Sequence, residues 1–158
     1  MLHPGTLPLC RAFEDAGLTT WLIGGQAVEL LCGGDIRPHD DLDFLVRLAD
    51  APAAVQMLER LGFVHAHGSL EVGDVFYRRD DVLLDLVPID DTGEPPCTLG
   101  ELTALRWPPG FLSPHFVQGV RTLTPAMHIE MKRVVADFYG VALREKDRLD
   151  LSALNNLS

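Results

Sequence analysis

Cysteines are few, no long apolar run occurs, and basic side chains are nowhere concentrated. Each shortage narrows what the chain can be. The three cysteines in 158 residues, Cys10, Cys32 and Cys97, are an odd number and form no Cys-x-x-Cys pair. That argues against a disulfide framework and a zinc ribbon, and for a reducing compartment. No apolar run approaches the roughly 20 residues needed to cross a bilayer. The opening residues, Met1-Leu2-His3-Pro4-Gly5, lack a basic region followed by an apolar one, so no secretory leader is expected. A cytoplasmic protein without membrane association is the expectation. Thirteen basic residues against 23 acidic ones leave a formal charge of −10. Such a field repels DNA or tRNA unless a basic patch overrides it, and no run of Lys or Arg is long enough to do so. The balance suits a cationic or neutral small substrate, and it also serves solubility.

What is there fits one domain spanning residues 1–158, a length that buries roughly 70% of the surface exposed by the unfolded chain. No internal repeat or low-complexity tract interrupts it. Residues 8–17 read as a short amphipathic helix that Gly17 ends. The β-branched and apolar run 19–23 reads as a buried strand, broken by Gly24-Gly25, with a helix following over 26–32. Residues 35–41, with Pro38 and several charges, suit a loop. A strand over 42–48 and a helix over 51–61 come next. Two strand-like runs, 72–79 and 82–89, flank a tight turn at Asp80-Asp81 and predict a hairpin. The stretch 90–114, broken by Gly93, Pro95-Pro96, Gly100, Pro108-Pro109 and Gly110, predicts a long irregular segment of the kind that forms lids and substrate-binding elements. A strand is expected over 116–123. Thr124-Pro125 is a strong helix start and Gly140 a stop, and a last charged helix spans 144–155. The order predicts an α+β fold: a mixed β-sheet flanked by helices, its core at about 18–90, with C-terminal strand and helices over 115–158.

Side chains alternate along a strand, so Asp41 and Asp43 share one face and Leu42 and Phe44 the other. Two adjacent carboxylates repel, and a divalent cation between them keeps both ionised; all-oxygen ligands favour Mg²⁺. A bare Asp-x-Asp is nevertheless far more often a surface pair. Three further features weigh against that. Asp85 interrupts an apolar run, Val82-Leu83-Leu84-Asp85-Leu86-Val87, where a lone carboxylate needs a metal, a base or a proton donor beside it, unless the strand lies at a solvent-facing edge. Gly24-Gly25 stands between a strand and a helix, where backbone N–H groups can approach a phosphate. Arg37 and His39 precede the carboxylates, placed to bind phosphate oxygens or to hold the loop.

In order, Gly24-Gly25, a helix, Arg37-x-His39-x-Asp41-x-Asp43-Phe44 and a later strand Asp resemble the nucleotidyltransferase superfamily with the DNA-polymerase-β-like fold. The likeness is closest to small aminoglycoside and lincosamide antibiotic nucleotidyltransferases, and extends to Arg144-Glu145-Lys146-Asp147-Arg148-Leu149-Asp150-Leu151. It implies transfer of a nucleoside monophosphate, typically AMP from ATP, onto a substrate hydroxyl with release of pyrophosphate. Asp41, Asp43 and Asp85 would hold one or two Mg²⁺, Asp85 doubling as general base. Gly24, Gly25, Arg37 and His39 would bind the triphosphate. Lys132 is a further candidate there, or else a surface Lys lying along an apolar stripe. Arg144, Lys146 and Asp147 read as a salt-bridge cluster at a helix start. One departure stands out: Gln26 follows the Gly pair where many members carry Ser. The acceptor implied is a small hydroxylated molecule, not DNA. Two alternatives are a toxin-type transferase acting on a macromolecule and a non-catalytic nucleotide-binding or antitoxin-like partner of the same fold. All three carboxylates being present weighs against the last.

Overall fold

The computed structural model describes residues 2–90, 92 and 94–157. Met1 and Gly93, both used above, lie outside the described residues. The apolar strand runs collect into one mixed sheet. Its strands are β1 (Thr20–Ile23), β2 (Asp41–Arg47), β3 (Val64–Ser69), β4 (Asp74–Arg79), β5 (Val82–Ile89), β6 (His115–Val117) and β7 (Val120–Thr122), in the spatial order β3-β4-β5-β2-β1-β7-β6. The helices are α1 (Thr6–Asp15), α2 (Gly24–Cys32), α3 (Ala51–Arg60), α4 (Pro125–Tyr139) and α5 (Glu145–Asn155).

Period-two alternation divides the sheet into two faces. Leu42, Phe44 and Val46 of β2 and Leu84 and Leu86 of β5 join Phe13 of α1 and Leu58 of α3 in one core cluster. Phe13 meets Phe44 edge-on at 5.2 Å, a favoured aromatic geometry. The opposite face gathers Trp21, Ile23, Leu45 and Ile89 against Phe111, Leu123 and Met131 of α4. The carboxylates of β2 and β5 belong to this second face. Thr124 caps α4 by accepting the Met127 N–H at 3.2 Å, Pro125 takes the first turn and Gly140 closes the helix in the left-handed conformation, as the sequence predicts.

Several boundaries differ from expectation, each for a physical reason. The Gly pair does not precede α2 but forms its first turn. The first strand of the hairpin starts at Asp74, because residues 70–72 form a 3₁₀ turn ended by Gly73 at φ +99°. Residues 116–123 are not one strand but the hairpin β6–β7, reversed at Gln118 (φ +51°) and Gly119 (φ +78°). Strand β3 carries no apolar alternation, since residues 64–68 are all exposed at the sheet edge, and so sends no periodic signal. Finally, β5 is central rather than an edge, paired with β2 on one side and β4 on the other. Pro88 is tolerated there because the pairing with β4 stops at Leu86.

Candidate active site

Parallel pairing of β2 with β5 sets Asp43 directly opposite Asp85, and Asp41 opposite Leu83. The three carboxylates therefore lie on one face, which also lines a cavity of about 420 Å³ roofed by α4 and the segment around Leu102–Trp107. Burial pushes the Asp85 carboxyl up to about 8, and the charges of Asp43, Asp74 and Asp41 add to it. Asp43 is held well above the ordinary carboxylate range by burial and by Asp41, against the opposing pull of Lys146, Lys132 and Arg37. Oδ1 of Asp85 is enclosed and has no hydrogen-bond partner among the described residues. An orphaned acceptor of this kind is costly and marks a functional position.

The backbone is shaped to these groups. Ile23 pairs with Asp43, so Gly24 follows immediately beside it, at φ +72°. A Cβ on Gly24 would overlap the Asp43 carboxylate, and one on Gly25 would overlap Arg37 Nη2 and the His39 ring. Gln26 is buried and donates through Nε2 to the Asp41 carbonyl at 2.9 Å. Its Oε1 accepts from the His3 N–H at 3.1 Å and from the Thr6 hydroxyl. It thus ties the start of β2 to the N-terminal segment, a positioning role that the sequence did not signal.

The cations are arranged by α5. Arg37 donates to both oxygens of Asp150, at 2.9 Å each. Lys132 Nζ lies 3.0 Å from Asp150 Oδ2 and 3.2 Å from Asp147 Oδ1. Arg144 reaches Asp147 at 2.7 and 3.1 Å, two members of the helix-start cluster expected there, while the charge of the third, Lys146, acts on Asp43. These partners hold the Asp147 carboxyl down to about 2 despite burial. Asp150, fully buried, is the hub that sequence reading missed; nothing in the pattern Asp150-Leu151 shows that it holds two cations. His39 Nε2 lies 2.9 Å from Glu29 Oε1, and the same oxygen accepts the backbone N–H of Ile36 and Arg37. In this arrangement Arg37 and His39 brace the loop that delivers Asp41. Lys132, Arg144, Asp43, Asp85 and Gly24 line the cavity, whereas Asp41, Gly25, Arg37 and His39 are not part of its lining.

Among the described residues no three His, Cys, Asp or Glu side chains close into a ligand set able to hold a metal alone. Mg²⁺ does not require one, since it takes one or two carboxylates and completes its shell with water and substrate phosphate. Facing carboxylates with an orphaned oxygen fit that ion.

The profile of the aminoglycoside-2''-adenylyltransferase family matches residues 7–95, the segment that carries the Gly pair and all three carboxylates. The chain belongs to that family. It is accordingly an enzyme of the nucleotidyltransferase class. A search of curated protein sequences found no match. Among solved structures, a lincosamide antibiotic adenylyltransferase bound to lincomycin is similar over 99% of each chain, with a TM-score of 0.70 at 19% identity. The antibiotic-resistance factor ANT(2'')-Ia, in solution, gives 0.72 at 20% identity over 97% of this chain and 83% of that one. In complex with adenylyl-2''-tobramycin it gives 0.70 at 21%, over 95% and 86%. At such identities the likeness shows the fold, a mixed sheet flanked by helices as the residue order predicts.

Proposed function

We propose that this adenylyltransferase-family enzyme moves a nucleoside monophosphate, AMP from ATP by preference, onto a hydroxyl of a small antibiotic-like acceptor of the aminoglycoside or lincosamide kind, releasing pyrophosphate. The observation that carries this reading is the register of Asp43 with Asp85 on the wall of a cavity that also receives Lys132 and Arg144. A cavity of about 420 Å³ matches a small molecule rather than a macromolecular surface.

Asp41, Asp43 and Asp85 are the groups that would hold Mg²⁺. When bound, the ion neutralises charge on the triphosphate and favours attack at the α-phosphorus. Lys132 and Arg144 face the same space and bind phosphate oxygens, released in part from Asp147 and Asp150 as the anion enters. Gly24 brings the first turn of α2, with its free N–H groups, against Asp43. Asp85 accepts the proton of the attacking hydroxyl. Burial raises the proton affinity of this carboxylate, which suits it to take up a proton. The three unpaired cysteines accord with a cytoplasmic setting, and among the described residues no helix is long and apolar enough to cross a membrane.

The test follows label from α-phosphate-labelled ATP into a panel of hydroxylated antibiotics, with and without Mg²⁺. Metal-dependent labelling of an acceptor, lost in Asp43→Asn and Asp85→Asn, is the expected result. Turnover retained in either variant would refute the roles assigned to these residues.

A further inference from the structure

The cavity contains more information about the acceptor than its volume. Four carboxylates line it: Asp43, Asp74, Asp85 and Asp147. Asp43 and Asp85 are assigned to the metal and the proton, and Asp147 is held by Lys132 and Arg144. Asp74 remains. It is partly buried, which raises its carboxyl, and the His67 imidazole pulls it back down, but it makes no ion pair with any described residue. A carboxylate so placed gains from a cation brought by a ligand.

Its position relative to the reacting group follows from the sheet. Val75 pairs with Leu86 and Phe76 with Asp85, so the side chain of Asp74 lies beside Val87 and on the same face as Asp85. Asp74 is thus the diagonal neighbour of Asp85 across β4 and β5, with Cα atoms roughly 7–8 Å apart for such a pair. It lies on the β4 side, away from Gly24 and the first turn of α2. The triphosphate groups are therefore placed on one side of Asp85 and Asp74 on the other, where an attacking hydroxyl must enter. Most of the remaining lining is apolar, Leu102, Leu105, Val135, Ala136 and Val141, joined by Trp107, whose enclosed indole N–H has no partner among the described residues, and by Tyr139, which carries a hydroxyl.

We infer that the acceptor is an amphipathic monocation, with one protonated amine that Asp74 binds, a hydroxyl one sheet diagonal away at Asp85, and an apolar arm against the Leu102–Trp107 and α4 walls. The inference rests on the transferase reading above and deepens it. A polyamine fits less well, because its further ammonium groups would lie against a mainly apolar wall, where only Asp147, still shared with Lys132 and Arg144, could receive one. Within a family named for aminoglycosides, this pocket is built for a less charged and greasier molecule.

Calorimetric titration of the full chain, loaded with Mg²⁺ and a non-hydrolysable ATP analogue, tests this with two probes. Lincomycin carries one amine and an apolar arm, and tobramycin is a polyamine. The expected result is lincomycin binding at least tenfold tighter than tobramycin. Asp74→Asn should weaken lincomycin at least tenfold while leaving the affinity for the nucleotide analogue unchanged, a split that a general loss of structure would not produce. Asp74→Glu should recover part of the loss. Equal or tighter binding of tobramycin, an Asp74→Asn variant that binds lincomycin like the parent, or no binding of either antibiotic to the nucleotide-loaded protein would each overturn the inference. Failure of the parent protein to bind the Mg²⁺–nucleotide would instead overturn the transferase reading beneath it.

Discussion

Gly24 carries the strictest demand of any single residue in the site. Its φ of +72° and its contact with the Asp43 carboxylate leave no room for a side chain. Gly24→Ala is expected to displace Asp43, lowering turnover about 100-fold and stability by about 1–3 kcal/mol, read from steady-state rates and denaturant unfolding. The carboxylates obey the opposite rule. Asp85 is costly to keep ionised, so Asp85→Asn should raise the Tm of metal-free protein by several degrees at pH 8 while abolishing transfer. A lower Tm would mean that Asp85 is a structural group. His128 adds a pH dependence. The Thr122 hydroxyl lies 2.6 Å from the Leu22 carbonyl, to which it donates, and 2.9 Å from His128 Nε2. Burial, then the charges of Lys132 and His115, press this imidazole down to about 3. The unfolded chain takes up the proton near pH 6.5 while the folded one refuses it, so stability from this group is complete above 6.5 and falls as pH drops toward 3. The stability gap between the parent and His128→Gln should therefore narrow over that window, and a constant gap would refute the neutral histidine.

Among the elements, α5 acts as a clamp. Asp150 binds Arg37 from the loop before β2 and Lys132 from α4, joining three segments distant in sequence. Asp150→Asn leaves two nearly buried cations short of a partner, a change worth about 3 kcal/mol and roughly 10 °C in Tm. A shift under 2 °C in a melting experiment would show that the clamp bears no load. Helix ends were legible in the residues themselves, because Thr124-Pro125 and Gly140 act locally. Strand β3 was not, since an exposed edge strand has no apolar period to read. The β6–β7 turn was missed because Gln118-Gly119 sits between short β-prone segments that read together as one strand.

For the whole molecule, nucleotide binding should appear as added stability. Mg²⁺–ATP at 100 times its Kd adds about 2.7 kcal/mol to the folded state, and Asp43→Asn should lose that shift in a thermal melt. The face proposed as catalytic draws attention in the sequence because its residues are separate chemical anomalies: paired carboxylates, a charge in an apolar run and a double glycine. Their supports do not. Gln26, Asp74 and Asp150 are ordinary residues in sequence and gain meaning only from neighbours that folding brings to them.

The pairing of β2 with β5 has a consequence for folding as well as for catalysis. These parallel strands meet only after α3, β3 and β4 have intervened in the chain, a non-local pairing that is slow and open to error. A slip by one residue would turn Asp43 or Asp85 into the apolar layer around Phe44 and Leu86, where an unpartnered charge is intolerable. The carboxylates therefore proofread the sheet, and replacing both with apolar residues should yield a chain that pairs its central strands in more than one alignment.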